Sequence, residues 1–198
     1  MKIYGDIKSG NCYKIKLLCS LLEINHDWVR VDILAGDTAT PEFLGKNPNG
    51  KVPLLELDDG RCLSESNAIL NFLAADSKLL PSDHYMLAKV QQWQFFEQYS
   101  HEPYIAVARF IAKYLGLPDD RRDEYEAKQA GGHKALSIME KQLSTTPYLT
   151  GESFTTADIS LYGYTHVAHE GGFDLSHYPA VSAWISRIQA LDNYIGMF

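Results

Sequence analysis

Two side chains that can react lie three residues apart in the stretch SGNCYK, the hydroxyl of Ser9 and the thiol of Cys12. A strand-like apolar run precedes the stretch and an apolar helical pattern follows it, so both groups lie at a predicted helix start. Unpaired N–H groups at a helix start favour negative charge, which suits chemistry at sulfur. The residues alone leave open whether Ser9, Cys12 or neither performs a reaction.

A second polar group lies in LSESNAI, where another helix is predicted to begin. Ser64 can cap this helix, and Glu65 and Ser66 then occupy its first turn. Free N–H groups and the Ser66 hydroxyl suit a carboxylate, while Glu65 can accept an ammonium. Together they would fit the head group of an amino acid, although ordinary helix capping explains the same residues equally well.

Val52 and Pro53 stand where the third predicted strand begins, in KVPLLEL. Proline removes a ladder donor there and is able to adopt the cis form, which would expose the Val52 backbone to a peptide-like partner. From the local sequence, a simple proline at a strand start is the better interpretation.

Three further patterns predict no site. GKNPNGKV matches the phosphate-loop spacing, but Val52 replaces the hydroxyl residue that would hold magnesium and a strand follows it. His166 and His169 are spaced i, i+3 without a carboxylate or cysteine at a suitable offset, so no metal site is predicted. No GxSxG stretch marks a hydrolase.

The elements that must position these residues change character along the chain. Residues 1–74 give the order βαβ and then ββα, with a hairpin turn at Asp58-Asp59-Gly60. Strand signals disappear after about residue 84, where long helical patterns follow. The fold class is an α/β domain followed by an all-α domain.

Within the helical part after about residue 84, a proline, a pair of glycines and a capping box indicate where single helices begin, bend or end. Pro103 predicts a kink or break in the first long pattern, and the pair Gly131-Gly132 is unfavourable within a helix predicted over 120–143. FTTADISLYGYTHVA begins with a capping box of Thr155 and Asp158 and is apolar almost all round, which predicts a buried central helix.

Composition narrows the class of protein. The chain has 198 residues and a formal net charge of −7, which argues against a nucleic-acid surface. Its three cysteines follow no disulfide or metal spacing, which indicates a reduced, cytoplasmic setting. No signal peptide and no membrane span are predicted, so no membrane is expected as a partner. The negative charge likewise means that no nucleic acid is expected as a partner.

Taken in order, these features resemble the cytosolic glutathione transferases along essentially the whole chain. The resemblance rests on SGNCYK after the first strand, GKVPLL, LSESNAI and FTTADISL. It implies a thioredoxin-like N-terminal domain at 1–75, an all-α domain at 84–198 that contributes the electrophile pocket, and a homodimer. Within the family, the chain resembles the bacterial serine-type enzymes of the theta and nu kind, with some likeness to the beta class.

The resemblance also implies roles for single residues. Ser9, assisted by Asn11, would hold glutathione as its thiolate, and Cys12 could instead form a mixed disulfide with glutathione, as in the beta class. The residues that would bind glutathione, which is the co-substrate, are Thr38, Lys51, Val52, a cis Pro53, Glu65 and Ser66. Those that would line the electrophile pocket are Tyr104, Arg109, Tyr162 and His166. Gln98 or His101 would reach across the dimer.

Three functions follow as alternatives. The first is conjugation of glutathione to small, mostly apolar electrophiles, with Ser9 as the main catalytic group. The second is glutathione-dependent reduction of disulfides or peroxides, through Cys12 or through glutathione bound at Ser9 and Asn11. The third is a transferase-like interaction module without turnover.

Overall fold

The structure, a computed structural model, describes residues 1–197 and divides into two compact units. The first unit comprises Met1–Ser77 and the C-terminal segment that starts at Leu191, and the second comprises Lys78–Ala190. The sequence interpretation instead assigns the C-terminal segment to the helical domain.

The first unit is built on a four-stranded sheet in the order β2-β1-β3-β4. Its strands are β1 (Lys2–Gly5), β2 (Asp27–Arg30), β3 (Leu54–Glu56) and β4 (Cys62–Ser64). β1 pairs in parallel with β2 and antiparallel with β3, which pairs antiparallel with β4. The four predicted strands and the hairpin between the last two are confirmed.

Helices cover both faces of this sheet. α1 (Gly10–Leu21) and α3 (Ser66–Leu73) pack together, and α1 lies on the face that carries Ile3. On the opposite face, Phe43 of the short helix α2 (Pro41–Lys46) packs in a cluster with Tyr4, Val31 and Leu54. The sequence interpretation missed α2. Its local signals are Thr40, which caps it, and proline at its first position.

The C-terminal segment is fastened to α1. The Tyr13 hydroxyl donates to the Ile195 carbonyl at 2.7 Å, and the Ser20 hydroxyl donates to the Asn193 carbonyl at 2.7 Å. The Asn193 amide also donates to the Glu23 carboxylate at 3.1 Å. These hydrogen bonds attach the C-terminal segment to α1, the helix that contains Cys12 and is capped by Ser9, and to the residues just after it.

The second unit is helical throughout its long elements. These are α4 (His84–Phe96), α5 (Glu102–Arg109), α6 (Arg122–Leu143), α7 (Thr156–Thr165) and α8 (Pro179–Gln189). All residues of α7 are buried, and its capping box of Thr155 and Asp158 is formed on both sides. The predicted central helix and its start signal are therefore confirmed.

Pro103 and the glycine pair behave differently from each other. Pro103 lies in the first turn of α5, and a π-turn over Glu97–His101 precedes it, so the predicted interruption is present. Gly131 and Gly132 lie inside α6. The rings of Tyr104 and Phe173 occupy the space that Cβ atoms at these two positions would need, which explains why both residues are glycine.

Candidate functional site

The Ser9 hydroxyl caps the N-terminus of α1. Ser9 has extended backbone, with φ −79° and ψ 124°, and its Oγ accepts a hydrogen bond from the Cys12 N–H at 3.4 Å. Oγ accepts this bond through a lone pair, and a hydroxyl also carries a hydrogen that it can donate to an anion. The side chain is 8% exposed, at the end of a helix whose N–H groups also favour negative charge. Such a group can stabilise a thiolate.

The Cys12 thiol is a poor reactive group in this setting. Its side chain is 0% exposed, and burial raises the pKa of Cys12 to about 12, although a hydrogen bond with Ser9 works in the opposite direction. A thiol with that pKa is protonated at neutral pH and is a weak nucleophile. Burial thus makes the Cys12 thiol less suited to react than the Ser9 hydroxyl, although the two residues lie only three positions apart in the sequence.

Tyr4 lies near Ser9 in sequence, but its hydroxyl is engaged elsewhere. It donates to the Glu56 carboxylate at 2.7 Å, and Lys46 forms an ion pair with the same carboxylate at 2.5 Å. Burial, followed by the hydrogen bond with Glu56, raises the pKa of Tyr4 above its ordinary value. A tyrosine held in this way does not offer its proton to a sulfur at the start of α1.

The segment before β3 contains backbone groups that the described part of the fold leaves unpaired. The Val52–Pro53 peptide bond is cis, as the resemblance implies. Within the described residues 1–197, no hydrogen bond is made by the Val52 N–H or carbonyl. The Asn47 amide donates to the Lys51 carbonyl at 2.8 Å, which closes the loop in front of Val52. The Val52 backbone is therefore held in place and available to an extended peptide.

Thr38 and Lys51 flank this loop. Lys51 is exposed, and Thr38 lies in a 3₁₀ turn over Asp37–Ala39. The Thr38 carbonyl is 3.4 Å from the position that a Cβ would take on Gly50, next to Lys51 in the chain. The structure thus brings the Thr38 backbone to the same loop as Lys51.

The first turn of α3 differs from the sequence interpretation in its cap. Ser64 ends β4, so its proposed capping role is wrong, and Glu65 takes the cap position without a side-chain capping bond. Glu65 has φ 69°, in the left-handed region that residues with a Cβ rarely adopt. This backbone leaves the Glu65 side chain exposed beside the buried Ser66.

Ser66 joins the starts of α1 and α3. Its hydroxyl donates to the Asn11 side-chain carbonyl at 3.3 Å and accepts from the Lys14 ammonium at 3.3 Å. The sequence interpretation missed Lys14. Its signal is a charged residue four positions before Leu18, on the apolar face of the helix.

The four residues predicted to contact an electrophile lie in the second unit, mostly in its interior. Arg109 is 2% exposed and donates to Glu170 at 2.7 Å, and Tyr162 is 0% exposed. The His166 ring stacks on Tyr162 with centroids 4.6 Å apart, and burial lowers the pKa of His166 to about 4. Tyr104 is half-buried against Gly131.

The two residues predicted to reach across a dimer are held within the second unit. The Gln98 amide donates to the Glu97 carboxylate at 2.7 Å. His101 is 0% exposed, and its Nε2 lies 2.8 Å from the Thr165 hydroxyl. Because His101 has no exposed surface, its predicted reach toward a partner is wrong.

Neither a metal centre nor a membrane span is found in residues 1–197. No cluster of three or more His, Cys, Asp or Glu side chains in this range has the arrangement of a metal site. No helix in the same range combines the length and the apolar character needed to cross a bilayer.

Comparison with protein families assigns both parts of the chain. Residues 9–76 match the glutathione S-transferase N-terminal domain, and residues 94–192 match the glutathione S-transferase C-terminal domain. The chain belongs to the glutathione S-transferase family. Its thioredoxin-like mixed sheet with helices and its all-helical C-terminal part are the glutathione S-transferase fold, as predicted.

Individual relatives agree with this assignment. A glutathione S-transferase from Pseudomonas fluorescens Pf-5 is 62% identical, with a TM-score of 0.98 over 100% of this chain and 98% of that one. A maleylacetoacetate isomerase from Methylobacterium extorquens AM1, solved with bound malonate and GSH, is 28% identical, with a TM-score of 0.82 over 98% and 94% of the two chains. Disulfide-bond oxidoreductase YfcG of Escherichia coli K12 is 29% identical over 91% of this chain and 86% of its own.

Proposed function

We propose that this glutathione S-transferase is a serine-type enzyme that conjugates glutathione to small, mostly apolar electrophiles. The observation that carries the proposal is the Ser9 hydroxyl at the start of α1, buried and retaining its hydrogen for donation. Free glutathione is mostly un-ionised at neutral pH, because an ordinary thiol has a pKa of about 8.5. A hydrogen bond from Ser9 to the sulfur would lower that pKa and supply the nucleophile.

The rest of the first unit supports binding of the tripeptide. The Val52 backbone, ahead of the cis Pro53, would pair with the cysteinyl part. Glu65 and Ser66 would hold the ammonium and carboxylate of the γ-glutamyl end, while Lys51 and Thr38 would lie near the glycyl carboxylate. The relative solved with bound GSH shares this fold over 98% of this chain, which favours glutathione as the ligand.

Among the candidate catalytic groups, Ser9 is favoured over Cys12. The raised pKa of Cys12, about 12, keeps its thiol protonated, and its 0% exposure keeps it from a ligand. Asn11 would assist Ser9 from the first turn of α1, two residues further along the chain.

The deciding experiment is a pH titration of bound glutathione, followed by the ultraviolet absorbance of the thiolate. We expect the bound thiol to titrate at least one pH unit below free glutathione in the wild type, since a single charge-assisted hydrogen bond is on the order of 1.5–3 kcal/mol. Ser9→Ala should abolish most of this shift. Cys12→Ala should leave it, as should Cys62→Ala, which removes an exposed cysteine and is the matched control.

Other outcomes would point to other functions. Loss of the shift in Cys12→Ala, or a mixed disulfide at Cys12 seen by mass spectrometry, would overturn the role of Ser9. Absence of glutathione binding in the wild type would favour the third alternative, an interaction module without turnover.

The electrophile would be met by residues of the second unit. Tyr104 and His166 keep part of their surface exposed, whereas Arg109 and Tyr162 are buried. We therefore assign direct contact to Tyr104 and His166 first. Arg109 and Tyr162 would act by holding His166 and the helices around it.

Reduction of disulfides with glutathione is a second candidate, favoured by the likeness to YfcG. In this reaction two glutathione molecules are oxidised to one disulfide while the substrate disulfide becomes two thiols. The first thiolate would be held by Ser9 rather than Cys12. A bis(2-hydroxyethyl) disulfide assay tests it: turnover that survives Cys12→Ala and fails in Ser9→Ala supports this route, and no turnover in the wild type excludes it for this disulfide.

We also propose a homodimer in the cytoplasm. Three large aromatic side chains on α4 and the turn after it are exposed, Tyr85 by 70%, Phe95 by 63% and Tyr99 by 79%. Exposed aromatic groups of this kind are typical of protein interfaces. The cytoplasmic setting rests on the cysteines, none of which is in a disulfide in the described residues.

A further inference from the structure

Lys14 places a cation in the interior of the first unit, between α1 and α3. Its side chain is 0% exposed, although lysine is among the residues least often buried. The ammonium donates to the Ser66 Oγ at 3.3 Å. It therefore meets, from the protein interior, the residue proposed to hold the γ-glutamyl carboxylate.

The direction of these hydrogen bonds fits a carboxylate ligand. The Ser66 oxygen accepts from Lys14, so its own hydrogen points away and reaches the Asn11 carbonyl at 3.3 Å. A ligand carboxylate is a stronger acceptor than an amide oxygen, because a charged acceptor forms shorter and stronger hydrogen bonds. The hydroxyl can thus turn from Asn11 to the ligand while Lys14 keeps its hold on Oγ.

The charge of Lys14 adds to this effect. A donor that itself accepts from a cation is polarised and becomes a stronger donor. The ammonium also acts across a medium of low dielectric, in which attraction to a carboxylate is larger than in water.

We propose that Lys14 is a positioning residue, which acts through Ser66 to bind the γ-glutamyl carboxylate and to select glutathione over thiol tripeptides that lack this carboxylate. The inference rests on the proposed function, because it takes glutathione as the ligand. The competing explanation is that Lys14 only stabilises the contact between α1 and α3. Lys16 offers a matched control, since it lies on the same helix and is partly exposed.

Isothermal titration with three tripeptides separates these explanations. Glutathione carries both head groups, glutaryl-Cys-Gly keeps only the carboxylate, and 4-aminobutanoyl-Cys-Gly keeps only the ammonium. For Lys14→Met we expect about tenfold weaker binding of the first two, the scale of one hydrogen bond to a charged group. Binding of 4-aminobutanoyl-Cys-Gly should change less than about twofold, Lys14→Arg should recover most of the loss, and Lys16→Met should bind all three as the wild type does.

Each remaining outcome has a separate meaning. Equal weakening of all three tripeptides, or no weakening, would overturn the role of Lys14 while leaving the proposed function intact. A wild type that binds none of them would instead overturn the proposed function. Circular dichroism and the melting temperature show whether Lys14→Met is folded.

If Lys14→Met does not fold, the inference can be tested on the wild type by nuclear magnetic resonance. The ¹⁵N–¹H signal of the Lys14 ammonium, identified by the slow proton exchange of a buried group, should move on addition of glutathione or glutaryl-Cys-Gly. It should stay in place with 4-aminobutanoyl-Cys-Gly. Equal movement with all three ligands would contradict the inference.

Discussion

At the scale of single residues, burial decides which polar groups of the first unit can react. Ser9 keeps a hydrogen to donate at the start of α1, while Cys12 has its pKa raised to about 12 because its thiol is buried. Tyr4 is likewise occupied, by the Glu56 carboxylate.

His166 gives a prediction on pH dependence. Burial, followed by smaller effects that include the charge of Arg109, brings the pKa of His166 to about 4 in the folded chain, against about 6.5 when it is unfolded. Below pH 6.5 the unfolded state therefore binds the proton more readily, so folding stability falls as the pH drops toward 4. We expect the stability of the wild type relative to His166→Asn to fall by on the order of 3 kcal/mol from pH 7 to pH 4.

Urea unfolding at several pH values measures this difference. His169→Asn is the matched control, because His169 lies three residues further along and is exposed. This variant keeps His166, so it should lose stability toward pH 4 as the wild type does. A stability difference between the wild type and His166→Asn that did not change with pH would contradict the assigned burial effect.

Sequence reasoning predicts several site residues but not their partners. The resemblance carried by the stretches around Ser9, Val52, Glu65 and Ser66 implies a thiol-tripeptide site, and this assignment stays a prediction. The choice against Cys12 and the presence of Lys14 depend on burial, which arises from the packing of α1 and α3 and has no local sequence signal. Glu65 at the cap position was missed for a similar reason, because a positive φ at a residue other than glycine is imposed by its surroundings.

At the scale of elements, α6 shows how packing overrides helix propensity. Glycine is unfavourable inside a helix by about 1 kcal/mol relative to alanine, yet Gly131 and Gly132 stay within it. The Phe173 ring, which is 0% exposed, fills the space beside Gly132. The two glycines thus allow aromatic rings to pack closely against α6, whereas the sequence pattern alone indicates only a lower helix propensity at these positions.

Gly132→Ala should therefore destabilise the protein. The gain in helix propensity is about 1 kcal/mol, whereas forcing a methyl group against a buried ring costs typically 1–3 kcal/mol. We expect a net loss that lowers the melting temperature by several degrees, on the order of 2–4 °C per kcal/mol for a chain of this size. Differential scanning calorimetry measures it.

Gly45→Ala is the control for this substitution. Gly45 also lies in a helix, α2, and a Cβ there would meet nothing within 4 Å. The propensity gain should appear without the clash, so this variant should be as stable as the wild type or more stable. If Gly132→Ala were equally stabilising, the Phe173 contact would not limit the residue at this position.

Short elements were the least predictable part of the fold. α2 has six residues, too few for a helical period to show, and its existence depends on the Thr40 cap and on Phe43 packing against the sheet. The long elements were predictable because their apolar period repeats over several turns. α7 was the clearest case, since its capping box and its all-round apolar pattern point to the same buried helix.

At the scale of the whole molecule, charge and exposed apolar surface act in opposite directions on self-association. The net charge of −7 on each chain opposes the approach of a second copy, most strongly at low ionic strength. The exposed rings of Phe95 and Tyr99 favour it, because each would remove apolar area from water on association. The rings lie on α4 and the turn after it, while the charge is spread over the chain, so the local attraction is expected to dominate at physiological salt.

The resulting prediction is a dimer that a single charge can dissociate. Size-exclusion chromatography with light scattering should give the wild type about twice the chain mass of 22.3 kDa. Phe95→Asp should give the monomer mass, because it adds repulsion and a buried unpaired carboxylate at the proposed contact. Ile138→Asp is the matched control, since Ile138 is a large apolar residue exposed by 40% on α6, and it should remain dimeric. A monomeric wild type would overturn the proposed interface, and dissociation of both variants would show that the contact is not confined to α4 and the turn after it.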